Sequence, residues 1–185
     1  MANKKDLNFE TKVIHAGQKS DPTTGAVMTP IVLASTFEQS SPGVHKGYDY
    51  SRSINPTREA FEKCIASLEN GVKGYGFSSG VAAISACIEL LSPGDHVIAM
   101  DDLYGGSVRL FNEIKTISQG IEVSYVDMTN VDNIKADLKE NTKMIFVETP
   151  TNPLLKVADL SKIARLAKAN KILTVCDNTF ASPFN

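Results

Sequence analysis

The 185-residue sequence predicts an α/β domain built on a mainly parallel sheet flanked by helices. Three observations carry this. Segments such as Met144-Ile145-Phe146-Val147 are continuously apolar, as expected of strands buried on both faces. From Asn55 onward, strand patterns alternate with helix patterns. Turn clusters such as Ser92-Pro93-Gly94-Asp95 punctuate the alternation.

The elements follow in order. Residues 1–57 lack strong periodicity and carry Pro22, Pro30 and Pro42, which suggests an extended arm. Its apolar residues (Val27, Met28, Ile31, Val32, Leu33, Phe37) imply that the arm lies against its own domain or a neighbouring subunit. Residues 58–185 then form the α/β portion. Asn55 suits a helix cap and Pro56 its first turn, and Ala60, Phe61, Cys64, Ile65 and Leu68 repeat at helical spacing up to Asn70-Gly71. Strands are expected at Gly74–Phe77, His96–Met100, Glu122–Val126, Met144–Glu148 and Ile172–Asp177. Helices are expected at Val81–Leu91, Ser107–Ile117, Val131–Leu138 and Leu160–Ala169. The chain ends just after a strand with no covering helix, which reads as a truncation.

Composition narrows the function classes. Hydrophobic residues make up 42% and charged residues 22%, and the net charge is -2. No basic tract points to nucleic acid or an anionic membrane, since Lys4-Lys5 is too short. No apolar run approaches the ~18 residues of a membrane helix, and Met1–Glu10 has no signal-peptide core. Cys64, Cys87 and Cys176 are odd in number and widely spaced, which fits buried free thiols rather than disulfides or zinc. The expectation is a reduced, cytoplasmic, globular protein without a metal.

In open α/β sheets, ligands bind beyond the carboxyl ends of the strands. Ser78-Ser79-Gly80-Val81 fits an ordinary serine cap, and equally a helix N-terminus that receives phosphate. Gly74, Gly76 and Gly80 resemble a dinucleotide fingerprint whose last glycine comes one residue late. Tyr104, before Gly105-Gly106, is either a loop tyrosine or a face for stacking on a heterocycle. Asn152, in Glu148-Thr149-Pro150-Thr151-Asn152-Pro153, sits on a proline-stiffened loop, where it forms a turn or bonds a ligand oxygen. Asp177 in Asp177-Asn178-Thr179 is an Asx-turn or a carboxylate for a protonated pyridine nitrogen. Tyr50 and Arg52 are two apart in extended chain and face one side, as a solvated patch or a phosphate clamp. Taken together, these strand ends suggest a site for a phosphorylated, planar, cationic-ring ligand, with pyridoxal phosphate ahead of a dinucleotide.

The motifs Tyr50-Ser-Arg52-Ser-Ile-Asn55-Pro56-Thr57, Phe77-Ser-Ser-Gly80, Asp101-Asp-Leu-Tyr104-Gly-Gly106, Glu148-Thr-Pro-Thr-Asn152-Pro153 and Asp177-Asn-Thr179-Phe180 occur in this order. This resembles the Cys/Met-metabolism (trans-sulfuration) family of pyridoxal-phosphate enzymes. The resemblance implies the aminotransferase type I fold and the cofactor pyridoxal 5'-phosphate. It implies that Ser79, Gly80 and Val81 hold the cofactor phosphate, and that Tyr104 stacks on the ring and assists proton transfer. Asp177 would pair with the ring nitrogen and Thr179 lie beside the ring. Asn152 would contact the 3'-oxygen or the substrate carboxylate. Tyr50 and Arg52 would reach the phosphate of a neighbouring subunit, within a homotetramer built from dimers with shared active sites.

The implied activity is carbon–sulfur cleavage in a sulfur amino acid, of the cystathionine γ-lyase type, on the strength of Ser53 and the Tyr104-Gly-Gly-Ser107 loop. Cystathionine γ-synthase and cystathionine β-lyase chemistry are the alternatives. The family's Schiff-base lysine lies in a Ser-x-x-Lys segment downstream of the aspartate motif, and no lysine of this sequence matches it. The 185 residues alone are therefore expected not to catalyse. Two further readings are a non-catalytic binding module and a nicotinamide-dependent oxidoreductase.

Overall fold

The structure, a computed structural model, describes residues 7–184. Residues 1–6 of the expected arm and Asn185 lie outside the described residues. The described chain divides into an N-terminal unit that runs to Gly76 and includes Phe184, and a second unit of Phe77–Pro183.

The N-terminal unit holds helix α1 (Phe9–His15), a hairpin of β1 (Gln39–Ser41) and β2 (Val44–His45), and helix α2 (Pro56–Leu68). Asn55 caps α2 through the Thr57 amide at 2.9 Å, as its sequence suggests. The extended chain is tied to the start of α2 by polar groups. Thr57 Oγ1 accepts from the Val32 amide and donates to the Pro30 carbonyl, and Asn55 Nδ2 donates to the Val32 carbonyl. Arg58 donates to the carbonyls of Ser51 and Ser53. The apolar side chains of the same stretch are not used in this unit: Val27, Met28, Ile31 and Leu33 are 73–91% exposed.

Two local expectations fail here. Helix α1 interrupts the extended stretch, without a side-chain cap from Asn8. Gly74–Phe77 is not a strand. A Cβ at Gly74 would overlap the Glu62 carbonyl of α2, and the Gly76 amide donates to Glu62 Oε1 at 2.8 Å. The glycines serve close approach to a helix, which mimics the alternation of a strand.

The second unit carries a four-stranded parallel sheet in the order β4-β3-β5-β6. The strands are β3 (His96–Met100), β4 (Glu122–Val126), β5 (Thr142–Glu148) and β6 (Leu173–Asp177). Central β3 is buried at every position and β5 at all but one, while the outer strands are partly exposed. The helices are α3 (Gly80–Ile88), α4 (Gly105–Arg109), α5 (Thr116–Ser118), α6 (Val131–Ala136) and α7 (Leu160–Ala169). A π-helical turn, Leu110–Lys115, joins α4 to α5, so the single helix read from the sequence contains a change of winding. Phe111 of that turn meets Phe146 of β5 edge-on at 5.2 Å, in a core with Ile88, Ile98, Met144 and Ile163.

His96 is fully buried at the amino end of β3, opposite the end where the loops gather. Its ring nitrogens lie 2.9 Å from Thr142 Oγ1 and 2.9 Å from Ser124 Oγ. Burial pushes its pKa below the ordinary histidine value, Lys139 adds to this, and Asp137 and Glu122 oppose it.

Candidate active site

The sheet order fixes where a ligand site belongs. The chain leaves β3 toward β4 on one side, whereas β5 leads to β6 on the other. Loops beyond the carboxyl ends of β3 and β5 therefore part, and a crevice opens between them. A cleft of about 370 Å3 lies there, lined by Ser79, Gly80, Val81, Ile84, Tyr104, Glu148, Pro150, Asn152, Asp177, Thr179 and Phe180. Seven of the sequence-derived candidates (Ser79, Gly80, Val81, Tyr104, Asn152, Asp177 and Thr179) thus meet in one cleft.

Helix α3 supplies one wall. Ser79 caps it, its Oγ accepting the Ala82 amide at 3.2 Å and its carbonyl the Ala83 amide at 3.1 Å. Among the described residues, the Gly80 and Val81 amides donate to no protein acceptor. A Cβ at Gly80 would meet nothing within 4 Å. Two N–H groups without a protein acceptor at a helix start are donors that an anion could use.

Tyr104 begins the turn into α4 and is 46% exposed. A Cβ at Gly106 would overlap the Tyr104 ring, so the bare glycine lets the aromatic ring lie over its own loop. Across the crevice, Asp177 ends β6 half-buried, and the Thr179 amide (3.1 Å) and hydroxyl (2.6 Å) both donate to its Oδ1. The Asx-turn reading of this motif is thus realised, and Oδ2 stands outside that turn.

Sequence reasoning missed Glu148, which is 5% exposed and lines the cleft. Its Oε2 accepts the Tyr104 amide at 2.9 Å and its Oε1 the Asn152 amide at 2.9 Å. Burial pushes its carboxyl above the usual glutamate value, and the Asp177 and Asp102 carboxylates push the same way, whereas the Tyr104 and Asn152 amides oppose them. The only available signal was its place as the last residue of a buried strand. Asp102 ties the same loops outside the cleft, accepting from Thr151 Oγ1 and, at 2.9 Å, from the Leu154 amide.

Tyr50 and Arg52 lie in the N-terminal unit, where the Arg52 guanidinium stacks 4.9 Å above the Tyr50 ring. Among the described residues, no lysine lines the cleft and no group of three or more His, Cys, Asp or Glu could hold a metal ion. No helix of these residues is long and apolar enough to cross a membrane.

The family model described as Cys/Met metabolism PLP-dependent enzyme matches residues 10–185. A cystathionine beta-lyase of Coxiella burnetii is 56% identical over 181 residues, covering 98% of this chain and 47% of that protein. A cystathionine gamma-lyase of Dictyostelium discoideum is 46% identical over 185 residues, covering 100% of this chain and 48% of that protein. The crystal structure of cystathionine gamma-lyase from Lactobacillus plantarum complexed with L-serine superposes with a TM-score of 0.92 at 46% identity, covering 96% of this chain and 46% of that one. The chain spans about half the length of the curated relatives it matches.

Proposed function

The chain belongs to the Cys/Met metabolism PLP-dependent enzyme family, and from that premise we propose that its cleft is the cofactor-binding part of an active site for carbon–sulfur cleavage in sulfur amino acids. The observation that carries the reading is the convergence on one cleft of free helix amides, an aromatic ring and a half-buried carboxylate. These groups fit pyridoxal 5'-phosphate part by part: an anion, a flat ring and a protonated nitrogen.

When bound, the cofactor supplies a conjugated cationic ring that takes up the electron pair left on a substrate carbon. Every other role falls to the protein. The Gly80 and Val81 amides and the Ser79 hydroxyl hold the phosphate. Tyr104 covers one face of the ring, and its hydroxyl carries a proton. Asp177 Oδ2 holds the ring nitrogen protonated, and Thr179, by fixing Oδ1, aims that carboxylate. The Asn152 side chain donates to the 3'-oxygen or to the substrate carboxylate.

The arm serves a neighbouring copy in this reading. Tyr50 and Arg52 reach the phosphate in that copy's cleft, and the exposed Val27, Met28, Ile31 and Leu33 supply apolar area for the contact. The assembly is a homotetramer of dimers with shared sites. Cys64, Cys87 and Cys176 form no disulfide among the described residues and are half-buried or exposed rather than buried; cysteines left as thiols support a reducing compartment, the cytoplasm.

The substrate is cystathionine, and γ-elimination to cysteine, 2-oxobutanoate and ammonia is the reading favoured by Ser53 and the Tyr104–Ser107 loop. A second reading, β-elimination to homocysteine and pyruvate, is favoured by the 56% identity to a cystathionine beta-lyase. Incubating cystathionine with the longest polypeptide that carries this sequence and identifying the oxo acid decides between them. Release of 2-oxobutanoate supports the γ reading and pyruvate the β reading. Neither acid, with cofactor bound, reduces the role to binding.

A further inference from the structure

Glu148 is a buried carboxylate with no cationic partner among the described residues. The groups that face it are Asp102 and Tyr104 from the loop after β3 and Asp177 from β6, and the α3 wall (Ser79, Gly80, Val81, Ile84) has no ionisable side chain. Leaving such a group unpaired in the interior is costly, and here two backbone amides satisfy it. They come from different loops. The Tyr104 amide belongs to the chain leaving β3, and the Asn152 amide to the chain leaving β5. These are the two lips of the crevice.

We infer that Glu148 is a positioning residue that fixes the separation of Tyr104 from Asn152, and so sets the cleft at the width of one flat ring. The inference rests on reading the cleft as a pyridoxal phosphate site. A carboxylate suits this task because both of its oxygens only accept. A glutamine of the same shape would hold one amide and turn its own N–H2 toward the other, freeing one lip.

The arrangement also couples Glu148 to Asp177. The two are Cα partners at the ends of β5 and β6, so a cation held by Asp177 relieves the repulsion on Glu148 and favours the ionised form that grips both amides. By reciprocity, ionised Glu148 favours the cation. Binding of the ring and closing of the lips then reinforce each other.

The test uses the longest polypeptide that carries this sequence, without cofactor and labelled for amide NMR, with pyridoxamine 5'-phosphate as the probe, because that compound has no aldehyde to react with surface lysines. As pH is lowered from neutrality, the Tyr104 and Asn152 amides should titrate with one common midpoint, above the ordinary glutamate value of 4.5. In Glu148→Gln that shared titration should disappear, and probe affinity measured calorimetrically should fall roughly tenfold. Separate midpoints, or a Glu148→Gln chain that binds the probe as tightly as the parent, would overturn the inference. If Glu148→Gln does not fold, the parent's titration decides alone. A parent chain that shows the common midpoint but binds no probe would retain the joint hold of Glu148 and refute the cofactor reading instead.

Discussion

Glu148 and Asp177 are the last paired residues of β5 and β6, so two carboxylates stand side by side at the mouth of the cleft. Only Asp177 carries an Asx-turn, and only Glu148 is deeply buried. The neighbouring acids differ in their surroundings: both oxygens of Glu148 accept backbone amides, whereas Asp177 accepts from Thr179 at Oδ1 and keeps Oδ2 outside that turn.

Asp177→Asn separates the two. Asparagine keeps the oxygen that accepts from Thr179, so the thermal midpoint should stay near that of the parent. Affinity for pyridoxamine 5'-phosphate should fall by about tenfold or more, since a charge partner is lost. The Glu148 carboxyl should also titrate at lower pH, because one of the charges that pushes it up is gone. Calorimetric titration and amide NMR read the two effects. Unchanged affinity would remove Asp177 from the site.

Gly106→Ala tests the placement of Tyr104. Within α4, alanine should gain about 1 kcal/mol of helix stability over glycine. The added methyl collides with the Tyr104 ring, which must swing away. Stability should therefore hold or rise while probe affinity falls, a combination that denaturant melts and calorimetry distinguish from general damage.

His96 links stability to pH. Its folded pKa lies below its ordinary value of 6.5, so the unfolded chain binds a proton more readily than the folded one. Stability from the neutral ring is complete above 6.5 and is lost as pH falls from there toward the folded pKa. Urea melts across that window should show this loss, and His96→Gln, which does not titrate, should lack that component.

The sheet should be unequal in its tolerance. Phe146→Ala, in the fully buried centre of β5, should cost about 3–5 kcal/mol. Leu173→Ala, 48% exposed at the start of β6, should cost about 1 kcal/mol or less. Matched denaturant melts check both.

The legible parts of this molecule were those governed by short sequence patterns. The His96–Met100 and Glu122–Val126 strands and the Leu160–Ala169 helix fall where the apolar runs and their periods put them. The rule that ligands bind beyond strand ends singled out Tyr104, Asn152 and Asp177, and the structure brings the three to one cleft. What escaped depended on partners far along the chain. The Gly74–Phe77 alternation belongs to a contact with Glu62. The Tyr104 amide donates to a glutamate 44 residues away, so the task of Glu148 has no local signature. The π-helical turn likewise leaves no mark in the apolar period of Ser107–Ile117. Tyr50 and Arg52, expected to face one side of extended chain, instead flank a turn closed by the Ser53 and Ile54 amides on the Tyr50 carbonyl, with the guanidinium over the ring.

The position of β5 beside β3 also sets the order of events when the chain folds. His96 and Thr142 are paired although 46 residues separate them, and the whole of β4 and α6 lies in between. The central ladder can start only after a long loop has closed, an entropic cost met before any of its hydrogen bonds form. Replacements that shorten or stiffen residues 127–141 should therefore speed folding more than they slow unfolding, and they would do so outside the set of residues that line the cleft.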